Sequence, residues 1–266
     1  MIRLICFSII ALSMASCQQP ASADGSKKPA ALTPSPDEAA LLAQQYAAFA
    51  KARENPMPTA QVMEKGKLYP VDEAPLDTAF FVYREQLRQA LAQHDVLSLL
   101  DAVAQDVKIH YASENGVADF ISRFGLDSNE PDTLEVWALL EGVLEQGGTF
   151  SPGQKSFSAP YYFSLWPESA DAATEIAITG KGVRVRAQPS LNSEVVTTVS
   201  YPIVELLGFE KEEAIGGQVF PWLHIRLRDG KEGYVFGQFA GYPMGHRATF
   251  EQREGQWALT YLLTGS

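Results

Sequence analysis

The spacing of apolar and polar positions divides this 266-residue chain into a helix-patterned half and a strand-patterned half. Along 77–106, Phe80, Tyr83 or Arg84, Leu87 and Leu91 recur at three- and four-residue intervals, the stripe of an amphipathic helix. A second helix is predicted from Asp95, with Leu97, Leu100 and Val103 on its apolar face. Val107, Ile109 and Tyr111 then alternate with Lys108 and His110, which predicts a half-buried strand. Asn115-Gly116 reads as a turn, and 117–124 as a short helix. Asp132 and Glu135 start another helix, with Val136, Leu139, Leu140, Val143 and Leu144 as its face and Gly147-Gly148 as its stop. Upstream, Ser35 and Glu38 form a capping box around Pro36, and Leu42, Tyr46 and Phe49 share a face. Asn55-Pro56-Met57-Pro58 breaks that pattern, and 59–76 reads as extended coil.

After residue 157 the period falls toward two. Tyr161, Phe163 and Leu165 alternate, and short β runs follow at 176–178, 183–186, 195–199, 204–209, 222–227 and 233–236. Such even spacing predicts a small barrel or sandwich. The last run is a hairpin, with Ala248 and Phe250 before Arg253-Glu254-Gly255 and Trp257, Leu259, Tyr261 and Leu263 after it. The expected fold class is α+β: a mainly helical α+β domain over 36–165, a small β-barrel over 176–240 and a C-terminal β-hairpin over 241–266.

The N-terminus changes the picture of where the protein works. Met1, Ile2 and Arg3 make a short positive region, and residues 4–14 an apolar run. That run is well below the roughly 20 residues a spanning helix needs. It fits a secretory leader over 1–16. Met14-Ala15-Ser16-Cys17 resembles the bacterial lipobox, which implies cleavage before Cys17 and lipidation of it. Gln18 after the cysteine is similar to the outer-membrane sorting pattern, so the expected location is the envelope, lipid-anchored at the outer membrane and facing the periplasm. Residues 17–35, with Pro20, Pro29 and Pro34 among Ala, Ser and Lys, read as a tether. Cys6 and Cys17 are the only cysteines, so processing leaves no thiol for a disulfide, a Cys-based metal site or Cys-His catalysis.

The net charge is −11, and loss of the leader with Arg3 makes it one more negative. This argues against a nucleic-acid partner, which would demand a basic footprint, and against electrostatic docking on anionic lipid. The lipid anchor is therefore the expected membrane contact.

Two stretches carry a family resemblance. Val183-Arg184-Val185-Arg186, Pro189-Ser190 and Ser193-Glu194-Val195-Val196 are followed by Trp222-Leu223-His224-Ile225-Arg226-Leu227 and Asp229-Gly230-Lys231-Glu232-Gly233-Tyr234-Val235. In that order they resemble the bacterial SH3 domain, SH3b, over about 60 residues, which implies an SH3-like barrel. Strand geometry predicts that Val183 and Val185 face inward while Arg184 and Arg186 face out. The Ala187-Gln188 corner and Tyr201-Pro202 depart from the family's usual Ser-Gly and Lys-Gly. The closing hairpin is similar to that of NTF2-like α+β domains, which implies that the first and last pieces of the chain pair with the barrel unit between them. The simpler alternative is a helical domain followed by the barrel and an extra hairpin.

Candidate chemistry is sparse. His94, His110, His224 and His246 show no metal-ligand spacing, and each reads as a surface histidine. No metal or cofactor is expected. There is no nucleophile elbow and no phosphate-binding loop. Asp72-Glu73 and Glu212-Glu213 read as solvated carboxylates in loops. The candidate ligand surface is aromatic: Tyr201, Trp222 and Tyr234, flanked by Arg184 and Arg186 for carboxylate recognition. The leading expectation is a non-catalytic envelope lipoprotein whose barrel binds cell-wall peptide, from peptidoglycan, or an envelope protein. The alternatives are an assembly protein with the barrel docked on the helical domain, and a cell-wall enzyme using the barrel as a targeting arm.

Overall fold

The computed structural model describes residues 65–110 and 116–265, together with Ala40 and Ala43. The leader, the lipobox with Cys17, the tether and most of the first predicted helix lie outside the described residues, as does Tyr111.

Two sheets organise the described residues. The first is five-stranded, in the order β1-β12-β11-β3-β2. It combines β1 (Val103–Lys108), β2 (Thr149–Phe150) and β3 (Ser156–Ala159) with β11 (Arg247–Arg253) and β12 (Gln256–Leu263). Helices α1 (Thr78–Gln93), α2 (Val96–Asp101), α3 (Val117–Phe124) and α4 (Glu135–Glu145) pack with it. Asp77 caps α1 by accepting from the Phe80 amide at 2.7 Å, and Asp95 caps α2 through the Leu97 and Ser98 amides. The α1 stripe is buried as its spacing implies. Phe80 lies at the centre of the core, with ring centroids of Phe157 and Trp257 at 4.3 and 4.8 Å. Arg84, on the same stripe, is buried too and donates to both oxygens of Asp72 at 2.8 Å.

Two local expectations fail in this half. Leu97 is exposed and Leu99 is the buried residue of α2, because the helix is only six residues long and ends at Asp101. Val103 therefore begins β1 instead of continuing the helix, and β1 runs parallel to β12. Tyr161, Phe163 and Leu165 do not form a strand. The strand is β3, and Pro160, which has no N–H to give the ladder, ends it. A single helical turn, α5 (Tyr161–Ser164), follows, with the Phe163 and Ser164 amides bonded to the Pro160 carbonyl.

The second sheet is seven-stranded, in the order β10-β4-β7-β8-β9-β5-β6. Its strands are β4 (Glu175–Ile178), β5 (Val183–Arg186), β6 (Val195–Val199), β7 (Ile203–Ile215), β8 (Gln218–Arg226), β9 (Glu232–Phe236) and β10 (Ala240–Gly241). Ile176, Ile178, Val183, Val185, Val204, Leu223, Ile225 and Val235 form its core. Gly233 has a clear role: a Cβ there would lie 2.6 Å from Val185 Cγ1 and 2.8 Å from the Arg186 carbonyl oxygen, so only glycine lets β9 approach β5.

The closing hairpin does not stand apart as an extra element. β11 lies between β3 and β12, pairing Ala248 with Ala159 and Phe250 with Phe157. The chain thus leaves the first sheet after β3, builds the whole second sheet, and returns in the strand next to β3. Apolar periodicity drives this, because Ala248, Phe250, Leu259 and Leu262 are buried in the same cluster as Phe80 and Leu140. Residues 66–73 strap the two sheets together. The Leu68 amide donates to the Tyr201 carbonyl at 2.8 Å, and the Glu73 amide to Gly148 at 2.9 Å. Leu68, Tyr161, Ala170, Ala177 and Ile203 fill a small apolar cluster at this seam.

Candidate functional site

The residues expected to form one ligand surface are distributed over different environments. Trp222 is buried at 1% exposure, packs against Phe236 and donates from Nε1 to Glu213 at 2.6 Å. It offers no face to a ligand. Glu213, expected in a solvated loop, stands on β7, where it accepts the indole N–H. Its neighbour Glu212, on the same strand, is exposed.

Arg184 is exposed as alternation requires, but Arg186 is buried at 8% exposure. Arg186 donates from Nη1 to the Ser193 carbonyl at 2.7 Å, which ties the corner 187–194 to the barrel and takes the side chain out of solvent. Beside it the pairing shifts: Val185 pairs with Thr197 and Arg186 with Val195, so Val196 is the extra residue, and alternation breaks on β6, where Val195 and Val196 are both exposed.

Tyr201 takes a left-handed conformation, φ 60°. Non-glycine residues rarely adopt it. Its ring lies 5.2 Å from that of Tyr69 on the strap, so it is a seam residue. Tyr234 stacks on His224 at 4.8 Å and 16°. His224 Nε2 stands 3.3 Å from Glu232, and Arg226 bridges Glu232 and Glu205. Those two carboxylates hold the Arg226 guanidinium above its ordinary pKa, with the hydrogen bond it donates to Glu232 the larger cause.

Sequence reasoning missed an apolar groove of about 430 Å³ lined by Phe209, Phe220, Pro221, Gly237, Ala240 and Tyr242. Phe209 is 62% exposed and lies parallel to Tyr242 at 6.2 Å. Phe220 meets Phe236 edge-on at 5.7 Å. Burial pushes the Tyr242 phenol up to about 12. The groove depends on a second irregularity. The pairing of β7 with β8 shifts between Phe209 and Glu212, locally breaking the ladder. Gly237 completes it, since a Cβ there would stand 2.7 Å from the Pro221 carbonyl oxygen. Exposed Glu210, Lys211 and Glu212, which follow Phe209 on β7, give that stretch an acidic balance. The signal in the sequence was the pair Phe209 and Phe220-Pro221 flanking Gly216-Gly217. It becomes legible as a groove only when the strands are paired.

Among the described residues no cluster of three or more His, Cys, Asp or Glu is placed to hold a metal ion, and no helix is long and apolar enough to cross a membrane.

Residues 181–241 match the family model of the bacterial SH3 domain. No curated protein and no solved structure matches the chain.

Proposed function

We propose that this chain, whose residues 181–241 form a bacterial SH3 domain, is a non-catalytic lipoprotein of the bacterial envelope. In this reading the domain binds an extended peptide of the cell wall or of a protein partner in the groove between Phe209, Phe220 and Tyr242. Bacterial SH3 domains are commonly cell-wall or protein binding modules. The carrying observation is the exposed Phe209 set against Tyr242 beside Pro221, because solvent-exposed aromatic rings in a concave apolar surface suit extended ligands. The leader and the Met14-Ala15-Ser16-Cys17 motif support anchoring at Cys17, with the outer membrane implied by Gln18.

The test is retention of the full chain on purified peptidoglycan. Wild type is expected to be retained, and Phe209→Ser to lose most of that retention without change in its melting curve. Equal retention of the two proteins overturns the groove assignment, and no retention of wild type overturns the wall ligand. Trp222 is unsuitable for this comparison because its loss damages the barrel itself.

A second reading, in which the domain serves assembly within the chain, is favoured by the seam. Tyr201 lies against Tyr69, and the Ile203 amide donates to Gly66 at 2.9 Å. The two readings use different surfaces of the domain: the seam is occupied and the groove is open.

A further inference from the structure

Among the described residues the two sheets end in four edge strands, β1, β2, β6 and β10. An edge presents unpaired backbone N–H and C=O groups, and folds ordinarily blunt it with charge, proline or shortness. Three of these four edges are blunted. β2 and β10 are two residues long, and the Phe150 amide of β2 donates to the Glu73 carboxylate at 2.8 Å. β1 exposes Gln105 and Asp106, and Asp106 accepts from Arg253. β6 has none of these devices. It reads Val195-Val196-Thr197-Thr198-Val199, β-branched at every position and without charge or proline. β5 pairs with one side of it, and no described strand pairs with the other. None of its five side chains is buried, so its strong strand propensity stabilises little within the chain. Val195 and Val196 are exposed together with Leu191 on the adjoining corner. The bulge at Val196 lies at the first end of the strand and leaves 197–199 in regular register.

Charge identifies the occupant. With a net charge of −11, two copies repel unless the surfaces that meet are neutral or matched in sign. Antiparallel pairing of β6 with β6 of a second copy, two-fold about Thr197, meets both conditions. It sets Val195 opposite Val199 and Val196 opposite Thr198, so no charge enters the ladder and β-branched side chains meet across it. Just beyond the ladder, Glu194 of one copy arrives at Ser200 of the other. Lys181 stands at that end, because the neighbouring Gly182 amide donates to the Ser200 hydroxyl at 2.9 Å. Glu194 and Lys181 are both exposed, and neither has an ion pair among the described residues. Within one copy they lie at opposite ends of β6. The two-fold brings them together, and does so twice.

We propose that β6 is a self-association edge: it pairs antiparallel with β6 of a second copy, joining two second sheets into one continuous sheet in a symmetric dimer. A five-residue edge belongs at the weak end of the interface range, so sedimentation equilibrium of the full chain from about 5 to about 500 µM is the test. Wild type is expected to pass from monomer to dimer across that range. Val196→Lys puts a charge on the ladder at an exposed position. It should keep the chain monomeric, with the wild-type melting curve at the lowest concentration. Glu194→Lys and Lys181→Glu, each alone, should weaken the dimer about fivefold, as reversed surface pairs counted twice. Both together should restore it. A dimer that survives Val196→Lys, or single reversals that the combined variant does not rescue, overturns the assignment. So does a wild type that stays monomeric throughout, which would leave the edge to a strand of another protein.

Discussion

At Trp222 a single hydrogen bond decides how a substitution should be read. The buried indole packs against Phe236, and its N–H donates to Glu213. Trp222→Ala is expected to cost about 3–5 kcal/mol, the range for deleting a large buried aromatic. Trp222→Phe keeps most of the volume and removes the hydrogen bond to the half-buried Glu213, and should cost about 1 kcal/mol. Urea denaturation of both variants checks this, and a loss below about 0.5 kcal/mol in either, the surface-substitution level, contradicts it. Asp95 gives a case with a pH signature. The hydrogen bonds from Ser98, first its side chain and then its amide, hold the Asp95 carboxyl below its ordinary range. A carboxyl lowered in the folded state contributes stability above its unfolded pKa, and that contribution is lost as pH falls through the folded value. Asp95→Ala should therefore cost about 1 kcal/mol at pH 7, as N-caps do. The gap between the two proteins should narrow as the pH is lowered toward 3. A gap independent of pH excludes the ionised cap.

Among elements, the closing hairpin has the largest consequence. β11 and β12 stand between β1 and β3, so their removal leaves no continuous first sheet. Every strand of the second sheet precedes residue 247. Truncation after Gly245 should collapse the amide dispersion of residues 78–159 and retain that of 175–241. Retention of both sets contradicts the split first sheet. The hairpin itself was legible because Phe250, Leu259 and Leu263 alternate around Glu254-Gly255. Its pairing with the first part of the chain was readable only through the resemblance to NTF2-like domains, since strand alternation states which face is buried and never which strand lies alongside. The same limit explains Arg186. Its alternation with Val185 was visible, but the carbonyl that engages it, that of Ser193, comes from the corner beyond the strand. The helix ends were misjudged where Leu97 and Val103 mimicked a continued stripe. The barrel was the most legible part, because its turns and close approaches demand particular residues, as Gly233 shows.

At the scale of the whole molecule, two sheets are joined by a strap, and the bacterial SH3 domain emerges between two neighbouring strands of the first. Two chain crossings and the 66–73 strap fix the domain's base, and the groove lined by Phe209, Phe220 and Tyr242 is left open. Binding through that groove is the central functional claim. It is tested most directly by site-specific photo-crosslinking in cells, with a photoreactive phenylalanine analogue placed at Phe209 in one protein and at Arg184 in another. The account predicts a discrete adduct, to a muropeptide or to one protein, from position 209 and none from position 184. Adducts from position 184 alone would contradict it.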